Sequence, residues 1–396
     1  MLDRLGPDGE VAHEEAVGEY AALENLTRRP PPADLRTPAL DYKMVDGDFM
    51  LAPAVASYLL DTPEGPARAA AFLARTTPAG ESYAAALRRN LARVCALTAP
   101  FAERRDAAHL VSLKPGVSVG NWRDSQDGLG GGRYPFDVNV ALAPAALQAA
   151  ARLARSGLLG AEPALADRAG HLASRWSGTE EFFRVEVPAA DARRLVADYA
   201  RSLQLDPEPA VASLEGAVRY HALALGADGQ PVPVMHTDGS FVLFFTAPPP
   251  SYLDGVAGEI LRPFPAGLRL PVGLAAANPV FGGDAWWRRF TRGDYHGPDV
   301  WSWQQALMAA GLQRQLARGD LPPATRARLV AAQRALWAVI SAMQAQSTGE
   351  LWSWEARDGR PALVPFGEAR SHVDESNAAQ LWSTVYLAVR PPAERP

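Results

Sequence analysis

The chain is short of several residue types, and each shortage excludes a class of site. Cys95 is the single cysteine among 396 residues, so no disulfide can form within the chain and no cysteine-based metal site is possible. Lys43 and Lys114 are the only lysines, and arginine supplies nearly all of the positive charge. With a net charge of −5 and no basic stripe, the sequence does not favour nucleic acid as a partner.

Long apolar runs are missing as well. No window approaches the ~18 uninterrupted apolar residues that a membrane-spanning helix needs, so no membrane partner is expected. Residues 1–15 lack the basic region and apolar run that are typical of a secretory signal. We therefore expect a cytoplasmic protein, and the sequence leaves its oligomeric state open.

Three common catalytic signatures are absent. The seven histidines are scattered without metal-ligand spacing, so neither a metal ion nor another cofactor is expected. The glycine-rich stretch 128–132 follows no predicted strand and precedes no Lys-Ser/Thr pair, so it does not predict a phosphate-binding loop. No Gly-x-Ser-x-Gly elbow occurs, which argues against a Ser-His-Asp hydrolase.

Amphipathic helical periodicity dominates what is present. Apolar residues recur at helical spacing in long stretches that Pro or Gly residues separate. Helices are predicted over 9–27, 46–60, 64–76, 80–102, 139–157, 161–176, 188–204, 299–318, 322–347 and 374–388, with shorter ones at 251–261 and 283–291. Twelve helices are the number in a closed toroid of six antiparallel hairpins. We therefore predict an all-α dominated fold, an (α/α)6 toroid that forms one domain over residues 1–396.

One region breaks the helical pattern. Residues 218–223 and 240–246 are rich in β-forming side chains, and Asp-Gly turns and prolines separate the two runs. We predict a small β excursion near 217–247, inside an insertion at about 217–280.

Acidic side chains lie beside tryptophans in three distant segments of the chain. These segments cover residues 121–139, 295–305 and 349–355, and residues 375–383 follow the third. Exposed indole faces stack on the apolar faces of sugar rings, and paired carboxyl groups carry the proton transfers of glycosidic cleavage. The combination predicts a glycoside hydrolase whose partner is a carbohydrate substrate.

Two carboxyl groups are the candidate catalytic residues. Asp124 lies in a glycine-rich loop beside Trp122, where partial burial would help it to keep a proton near neutral pH. Glu350 follows the predicted helix 322–347 and can activate a water molecule, with Glu355 and Glu375 as alternatives. The candidate substrate-binding residues are Trp122, Arg123, Asp137, Asn139, Asp48, Tyr295, His296, Trp301, Trp303, Gln304, Trp352, Trp354, Glu375, Gln380 and Trp382.

A structural alternative exists for several of these residues taken alone. Asp124 can cap a turn, and Asp48 can cap the helix that includes Phe49. Asp299 is a suitable N-cap for the predicted helix 299–318. Trp301 and Trp303 cannot share one helical face, so one is expected in the core and the other beside the site.

The first segment resembles motifs of the six-hairpin glycosidases, most closely the catalytic domain of glycogen-debranching enzymes of the amylo-α-1,6-glucosidase type. Asn121-Trp122-Arg123-Asp124 resembles their Thr-Trp-Met-Asp stretch, which carries the general acid. Residues 134–139 resemble their Gly-Lys-Pro-Val-Glu-Ile-Asn stretch, which opens a helix. This likeness implies the acid role for Asp124, and sugar or structural contacts for Asp137 and Asn139.

The later segments resemble further motifs of the same group, in the same order. Residues 297–303 resemble Gly-x-Val-Trp-Pro-Trp, with Ser302 in place of Pro. Residues 349–354 resemble the Ser-Glu-Ile-Phe-Asp-Gly segment that carries the general base, and residues 380–383 resemble a Gln-Ala-Trp-Ser helix. Trehalases and processing α-glucosidases are more distant relatives of this pattern.

The resemblance implies an inverting hydrolase of an α-glycosidic bond, in an α-glucoside at a chain end or in a small glycoside, with Asp124 as acid and Glu350 as base. Carboxyl groups ~6.5–9.5 Å apart would agree with inversion, and ~5–5.5 Å with retention. Three alternatives stay open. A basic pocket around Arg123 or Arg133 would favour a phosphorylase, and paired histidines an epimerase. A non-catalytic carbohydrate-binding protein could share the aromatic residues.

Overall fold

The computed structural model describes residues 1–367 and 381–392, and helices dominate them. The described residues form thirteen α-helices and six small sheets of two or three strands, which confirms the helix-dominated fold. They divide into two compact units, residues 1–124 with 138–178 and residues 125–137 with 179–396. The prediction of one domain over 1–396 stays a prediction. Within the described ranges, no helix has the length and apolar content to cross a membrane.

The first unit is built mainly from helices. They are α1 (Gly18–Thr27), α2 (Asp46–Ala56), α3 (Gly65–Leu73), α4 (Tyr83–Glu103), α5 (Ala143–Arg155) and α6 (Pro163–Arg175). Helices α2, α4, α5 and α6 pack on one another through apolar faces that recur at helical spacing. The Ser82 Oγ accepts a hydrogen bond of 3.2 Å from the Ala85 N–H and caps α4.

The N-terminal part of the first unit differs from the prediction. Residues 9–27 were expected to form one helix, but α1 begins only at Gly18. Before it, strand β1 (Glu14–Ala16) pairs antiparallel with β2 (Ala39–Asp41). The backbone hydrogen bonds of Glu14–Ala16 go to this distant partner, which a local pattern cannot reveal.

The second unit contains the remaining α-helices of the described residues. They are α7 (Ala189–Ser202), α8 (Glu208–Ala212), α9 (Gly239–Phe245), α10 (Pro250–Leu261), α11 (Asp284–Arg289), α12 (Ser302–Leu316) and α13 (Pro323–Ala342). Helix α12 packs on α9 and α13, and α13 also packs on α10.

Short strands connect these helices. They are β3 (Tyr134–Pro135), β4 (Arg184–Val187), β5 (Val218–His221), β6 (Ala224–Leu225), β7 (Pro231–Val232), β8 (Met235–His236), β9 (Arg269–Leu270), β10 (Gly273–Leu274), β11 (Ala277–Asn278), β12 (Val300–Trp301), β13 (Leu351–Arg357) and β14 (Arg360–Val364). Their sheets are β3-β6-β7, β4-β5, β8-β11, β9-β10 and β12-β13-β14, all antiparallel.

The β excursion is only partly as predicted. Strand β5 confirms the run that begins at residue 218, but residues 240–246 are not a strand, because they fall mostly in helix α9. Phe241, Val242 and Leu243 are all buried, and α9 packs on α12. A short, continuously apolar run fits a buried helix as well as a buried strand, so periodicity could not distinguish them.

Two helix ends near the predicted site also differ. Helix α12 begins at Ser302, since the two residues before it form β12, and Asp299 is therefore not its N-cap. Helix α13 ends at Ala342, so Glu350 precedes β13 directly and does not lie at the end of a helix. Most of the helix predicted at 374–388 lies outside the described residues, and Leu381–Leu387 is a 3₁₀ helix. The other predicted helices agree with the structure to within a few residues.

Candidate active site

In the first unit, the loop that carries Asp124 is fixed to the start of α2. The Gly120 carbonyl oxygen accepts hydrogen bonds from the N–H groups of Val45 (2.8 Å) and Asp46 (3.2 Å). Within the loop, the Arg123 N–H donates to Asn121 Oδ1 at 3.3 Å. The irregular backbone predicted around Asp124 is confirmed, and these bonds give it a defined position.

Asp124 combines exposure with a raised pKa. Its side chain is 38% exposed, and its Oδ2 lies 4.0 Å from His13 Nε2. Partial burial raises the pKa of the Asp124 carboxyl, and this outweighs the opposing effect of His13 and Lys43. A carboxyl that is accessible and also holds its proton more tightly than usual has the properties of a general acid.

Two further carboxyl groups lie in the first turn of α2. Burial, with a smaller contribution from the charges of Asp48 and Asp124, raises the pKa of Asp46 to about 7 against the hydrogen bond from the Gly47 N–H. Asp48 is fully buried and accepts hydrogen bonds from the Val11 N–H (2.7 Å) and from Arg93 Nε (2.8 Å). Asp48 thus has structural partners, and its predicted contact with substrate stays a prediction.

The neighbours of Asp124 also have structural contacts. The buried Arg123 guanidinium lies 4.3 Å from the centroid of the partly exposed Trp122 ring, in cation–π geometry. Asn139 is fully buried, and its amide exchanges hydrogen bonds of 2.8 and 2.9 Å with the backbone of Val111. Of the two kinds of contact that the motif resemblance implied for Asn139, the structural kind is present.

In the second unit, β12 and β13 bring two of the three sequence segments together. Val300 lies opposite Trp352, and Trp301 lies opposite Leu351. The N–H and Oγ of Ser302 both donate to the carbonyl oxygen of Glu350, each at 2.9 Å. Residues 295–303 therefore lie directly beside residues 350–354, as a shared site requires.

Glu350 is the centre of a connected group of side chains. It is 1% exposed, and Tyr295 Oη donates a hydrogen bond of 3.1 Å to its Oε1. The Tyr295 ring packs edge-on against His296 and Trp301, whose rings stack at 5.2 Å and 3°. Ser125 Oγ and His296 Nδ1 form a hydrogen bond of 2.7 Å. We call these five residues the Glu350 cluster; Ser125 is the member that the predicted site did not include.

The expectation of exposed tryptophans around this cluster is wrong. Trp301, Trp303, Trp352 and Trp354 are all buried, the last completely. The indole N–H groups of Trp301, Trp352 and Trp354 donate to the carbonyl oxygens of Tyr295 (3.0 Å), Val272 (2.8 Å) and Pro298 (2.8 Å). These indoles hold the loops around β12 and β13 in place, and their predicted contact with sugar stays a prediction.

Two of the remaining predicted residues are buried, the alternative base is partly exposed, and three others lie wholly or partly outside the described residues. Gln304 is buried and accepts a hydrogen bond of 2.8 Å from Ser240 Oγ, and the fully buried Asp137 begins the π-helical turn Asp137–Leu142. Glu355, the alternative base, is partly exposed and pairs with Arg357. Glu375 and Gln380 lie outside the described residues, and of Trp382 only the backbone is described.

Asp124 belongs to the first unit and Glu350 to the second, so the separation of their carboxyl groups stays a prediction.

A pair of histidines was missed by the sequence analysis. His221 and His236 both pack on Phe136, with ring centroids 5.6 and 4.8 Å away. Burial, with a smaller contribution from the neighbouring His236, lowers the pKa of His221 to about 3. His221 is therefore neutral at physiological pH and is poorly suited to the proton exchange of an epimerase. Only the folding of β5 and β8 reveals that the two residues are neighbours.

The comparisons with known proteins assign no family. No family model matches the chain, and no curated protein matches it. Among the described residues, no group of three or more His, Cys, Asp or Glu side chains could hold a metal ion. The Asp124 loop and the Glu350 cluster are the features of the described residues that bear on function.

Gly297 is required at the turn before β12. A Cβ atom at this position would collide with the Thr291 carbonyl oxygen, and the Gly297 N–H donates to the Asp294 carbonyl oxygen at 2.8 Å. We expect Gly297→Ala to lower the free energy of unfolding by ~1–3 kcal/mol, because the turn must open to admit the methyl group. Urea denaturation measures this. Gly319→Ala is the control, since a Cβ there meets no atom within 4 Å, and equal losses in both variants would contradict the prediction.

Proposed function

We propose that the protein is an inverting glycoside hydrolase that cleaves an α-glycosidic bond. The substrate is an α-glucoside, cleaved at a chain end or as a small glycoside. Asp124 protonates the oxygen of the leaving group, while Glu350 removes a proton from the water that attacks the anomeric carbon from the opposite face. Each carboxyl group therefore needs a different environment.

The observation that carries the proposal is the state of Asp124. More than a third of its side chain is exposed, so a substrate oxygen can reach it, and its pKa is nevertheless raised. A carboxyl that serves as a general acid must keep its proton near neutral pH until the bond breaks. The partly exposed Trp122 beside it offers a ring face on which a sugar can stack.

The contacts of Glu350 support its role as base. The hydrogen bond from Tyr295 and the enclosing rings of the Glu350 cluster fix the orientation of its carboxylate. A general base depends on such orientation, because misplacement by about 1 Å can lower the rate ~10²-fold. The alternative base, Glu355, is partly exposed and engaged with Arg357.

The finer description of the fold is part of the same proposal. We infer an (α/α)6 toroid, because the consecutive helices α5–α6 and α12–α13 pack on each other after short connections, as hairpins do. We also propose that the partner of the protein is a carbohydrate and that the protein is cytoplasmic.

Product release from a panel of glycosides tests this function. The panel contains trehalose, kojibiose, maltose, isomaltose, glucosylglycerate and an α-mannoside, each with and without phosphate, and NMR records the first anomer released. Early β-anomer from an α-linked substrate is the expected result. Early α-anomer from a substrate whose leaving group is not a sugar, such as glucosylglycerate, would contradict inversion. Sugar phosphate formed only with phosphate would indicate a phosphorylase. Saturable binding without any release would indicate a carbohydrate-binding protein.

A further inference from the structure

A cavity of about 220 Å³ in the second unit uses none of the residues discussed as catalytic. Its walls come from the segment before β4, from β5 and from helix α10. The residues that matter for its chemistry are Glu180, Tyr220, His221, Ser251, Tyr252 and Glu259. We call it the Tyr220 pocket. This volume is below the roughly 300–1,000 Å³ of typical ligand pockets, so the cavity suits a small molecule and not an extended chain.

Tyr220 is one of the residues that line this pocket, and its buried hydroxyl leaves its hydrogen-bonding capacity unused among the described residues. Tyr220 is 2% exposed, and its ring packs on Phe281 with centroids 5.4 Å apart. Its buried hydroxyl has no hydrogen-bond partner among the residues that the structure describes. Leaving a buried hydroxyl unbonded costs about 1–3 kcal/mol, so native proteins rarely do so without a reason. A ligand in the pocket that offers an oxygen to Tyr220 would supply the missing bond.

Three polar side chains of the lining are uncharged near neutral pH. Burial raises the pKa of Glu259 to about 8 against the influence of Arg262, so its carboxyl stays largely protonated. Burial also raises the pKa of the Tyr252 hydroxyl and lowers that of His221 to about 3. The His221 and Tyr252 rings pack 4.9 Å apart. Tyr252, His221 and Glu259 thus contribute uncharged hydroxyl, imidazole and carboxyl groups to the lining.

Charged side chains at the rim mostly neutralise one another. Arg219 Nε lies 2.9 Å from Glu186, and Arg184 Nη1 lies 3.1 Å from Glu181. An anion that entered the pocket would lose its hydration without gaining an uncompensated positive charge, which is unfavourable. A molecule with several hydroxyl groups loses less and can bond to each polar side chain.

We propose that the Tyr220 pocket binds a neutral polyhydroxylated molecule of monosaccharide size. Tyr252 and His221 add aromatic rings to the lining, and an aromatic ring suits the apolar face of a sugar. The proposed ligand would hydrogen-bond to the hydroxyl groups of Tyr220 and Tyr252. The site is independent of the hydrolase proposal, because it shares no residue with the Asp124 loop or the Glu350 cluster.

Calorimetric titration of the full chain with glucose, mannose or glycerol tests the pocket. We expect Tyr220→Phe to weaken binding about tenfold, the loss typical of one hydrogen bond. Without ligand, the variant should unfold at the same or a higher temperature, because no bond within the protein is lost. Tyr20→Phe, which removes a hydroxyl from a 67% exposed tyrosine in α1, is the matched control and should bind like the wild type.

Further measurements separate this site from the proposed catalytic site. Glucose binding that persists in Glu350→Gln and weakens in Tyr220→Phe supports the pocket. Glucose binding that weakens in Glu350→Gln and persists in Tyr220→Phe would assign glucose to the Glu350 cluster. That result would overturn the proposed binding role of the Tyr220 pocket and leave the hydrolase proposal intact. Gluconate, an anion of similar size, should bind more weakly than glucose. Absence of binding by all three neutral probes, or a lower unfolding temperature of Tyr220→Phe, would overturn the inference.

Discussion

Asp124→Asn and Glu350→Gln are each expected to remove nearly all hydrolysis, with a fall in kcat of ~10²–10⁴-fold. Asparagine cannot protonate a leaving group, and glutamine cannot accept a proton from water. Both variants should fold. Asp124 is 38% exposed, and a glutamine at 350 keeps an oxygen that can accept the hydrogen bond from Tyr295. Initial rates on the best substrate of the panel, together with unfolding temperatures, measure both effects.

Neighbouring carboxyl groups provide matched controls for these variants. Asp127 follows Asp124 by three residues and pairs with Arg289 at 3.0 Å, and Glu355 lies on the strand that Glu350 precedes and pairs with Arg357. Exposed ion pairs contribute little, so Asp127→Asn and Glu355→Gln should leave kcat within about twofold of the wild type. Near-normal turnover in Glu350→Gln together with a large loss in Glu355→Gln would transfer the role of base to Glu355.

Glu259→Gln is expected to change the dependence of stability on pH. The pKa of Glu259 is about 8 in the folded protein, against an ordinary value of 4.5. Between these pH values the folded chain keeps a proton that the unfolded chain releases, so wild-type stability falls as pH rises, by about 1.4 kcal/mol per pH unit. Above the folded pKa both states are ionised and the decline stops. Glutamine has no proton to lose, so the variant should lack this decline.

Urea denaturation at about pH 5 and about pH 8 measures the difference between the two proteins. We expect the variant to be more stable than the wild type at the higher pH, by an amount on the order of a few kcal/mol, and closer to it at the lower pH. Glu103→Gln, at the exposed end of α4, is the control and should follow the wild type at both pH values. A parallel decline in wild type and Glu259→Gln would show that Glu259 does not carry the effect.

Much of the helical structure could be predicted from the sequence. Helices α4, α6 and α7 lie within a few residues of the predicted ranges because their apolar residues form one continuous face. The predictions of secondary structure failed where the apolar pattern fits both a helix and a strand, or where the hydrogen-bonding partner of a strand is distant in the chain. The run around Phe241 is apolar on every side, and Glu14–Ala16 pairs with residues more than twenty positions away.

Less of the candidate site could be predicted. The sequence identified Asp124 and Glu350 as candidates from their neighbours, but it could not reveal His13 beside Asp124 or Ser125 beside His296. It also suggested that the tryptophans near Glu350 are exposed, whereas they are buried with indole N–H groups bonded to backbone. An indole has both an apolar surface and a donor, so its sequence context fits a sugar-binding face and a core position equally well.

The sequence by itself determined the helical character of the chain, the irregular loop at Asp124 and the absence of cysteine-based sites, because each depends on local pattern or composition. Only the tertiary structure decided that Tyr295 reaches Glu350 through the pairing of β12 with β13, and that Tyr220, Tyr252 and Glu259 line one cavity. These arrangements bring together residues up to 55 positions apart. Their pKa values and hydrogen bonds depend on burial and on neighbours, which the order of residues in the chain does not specify.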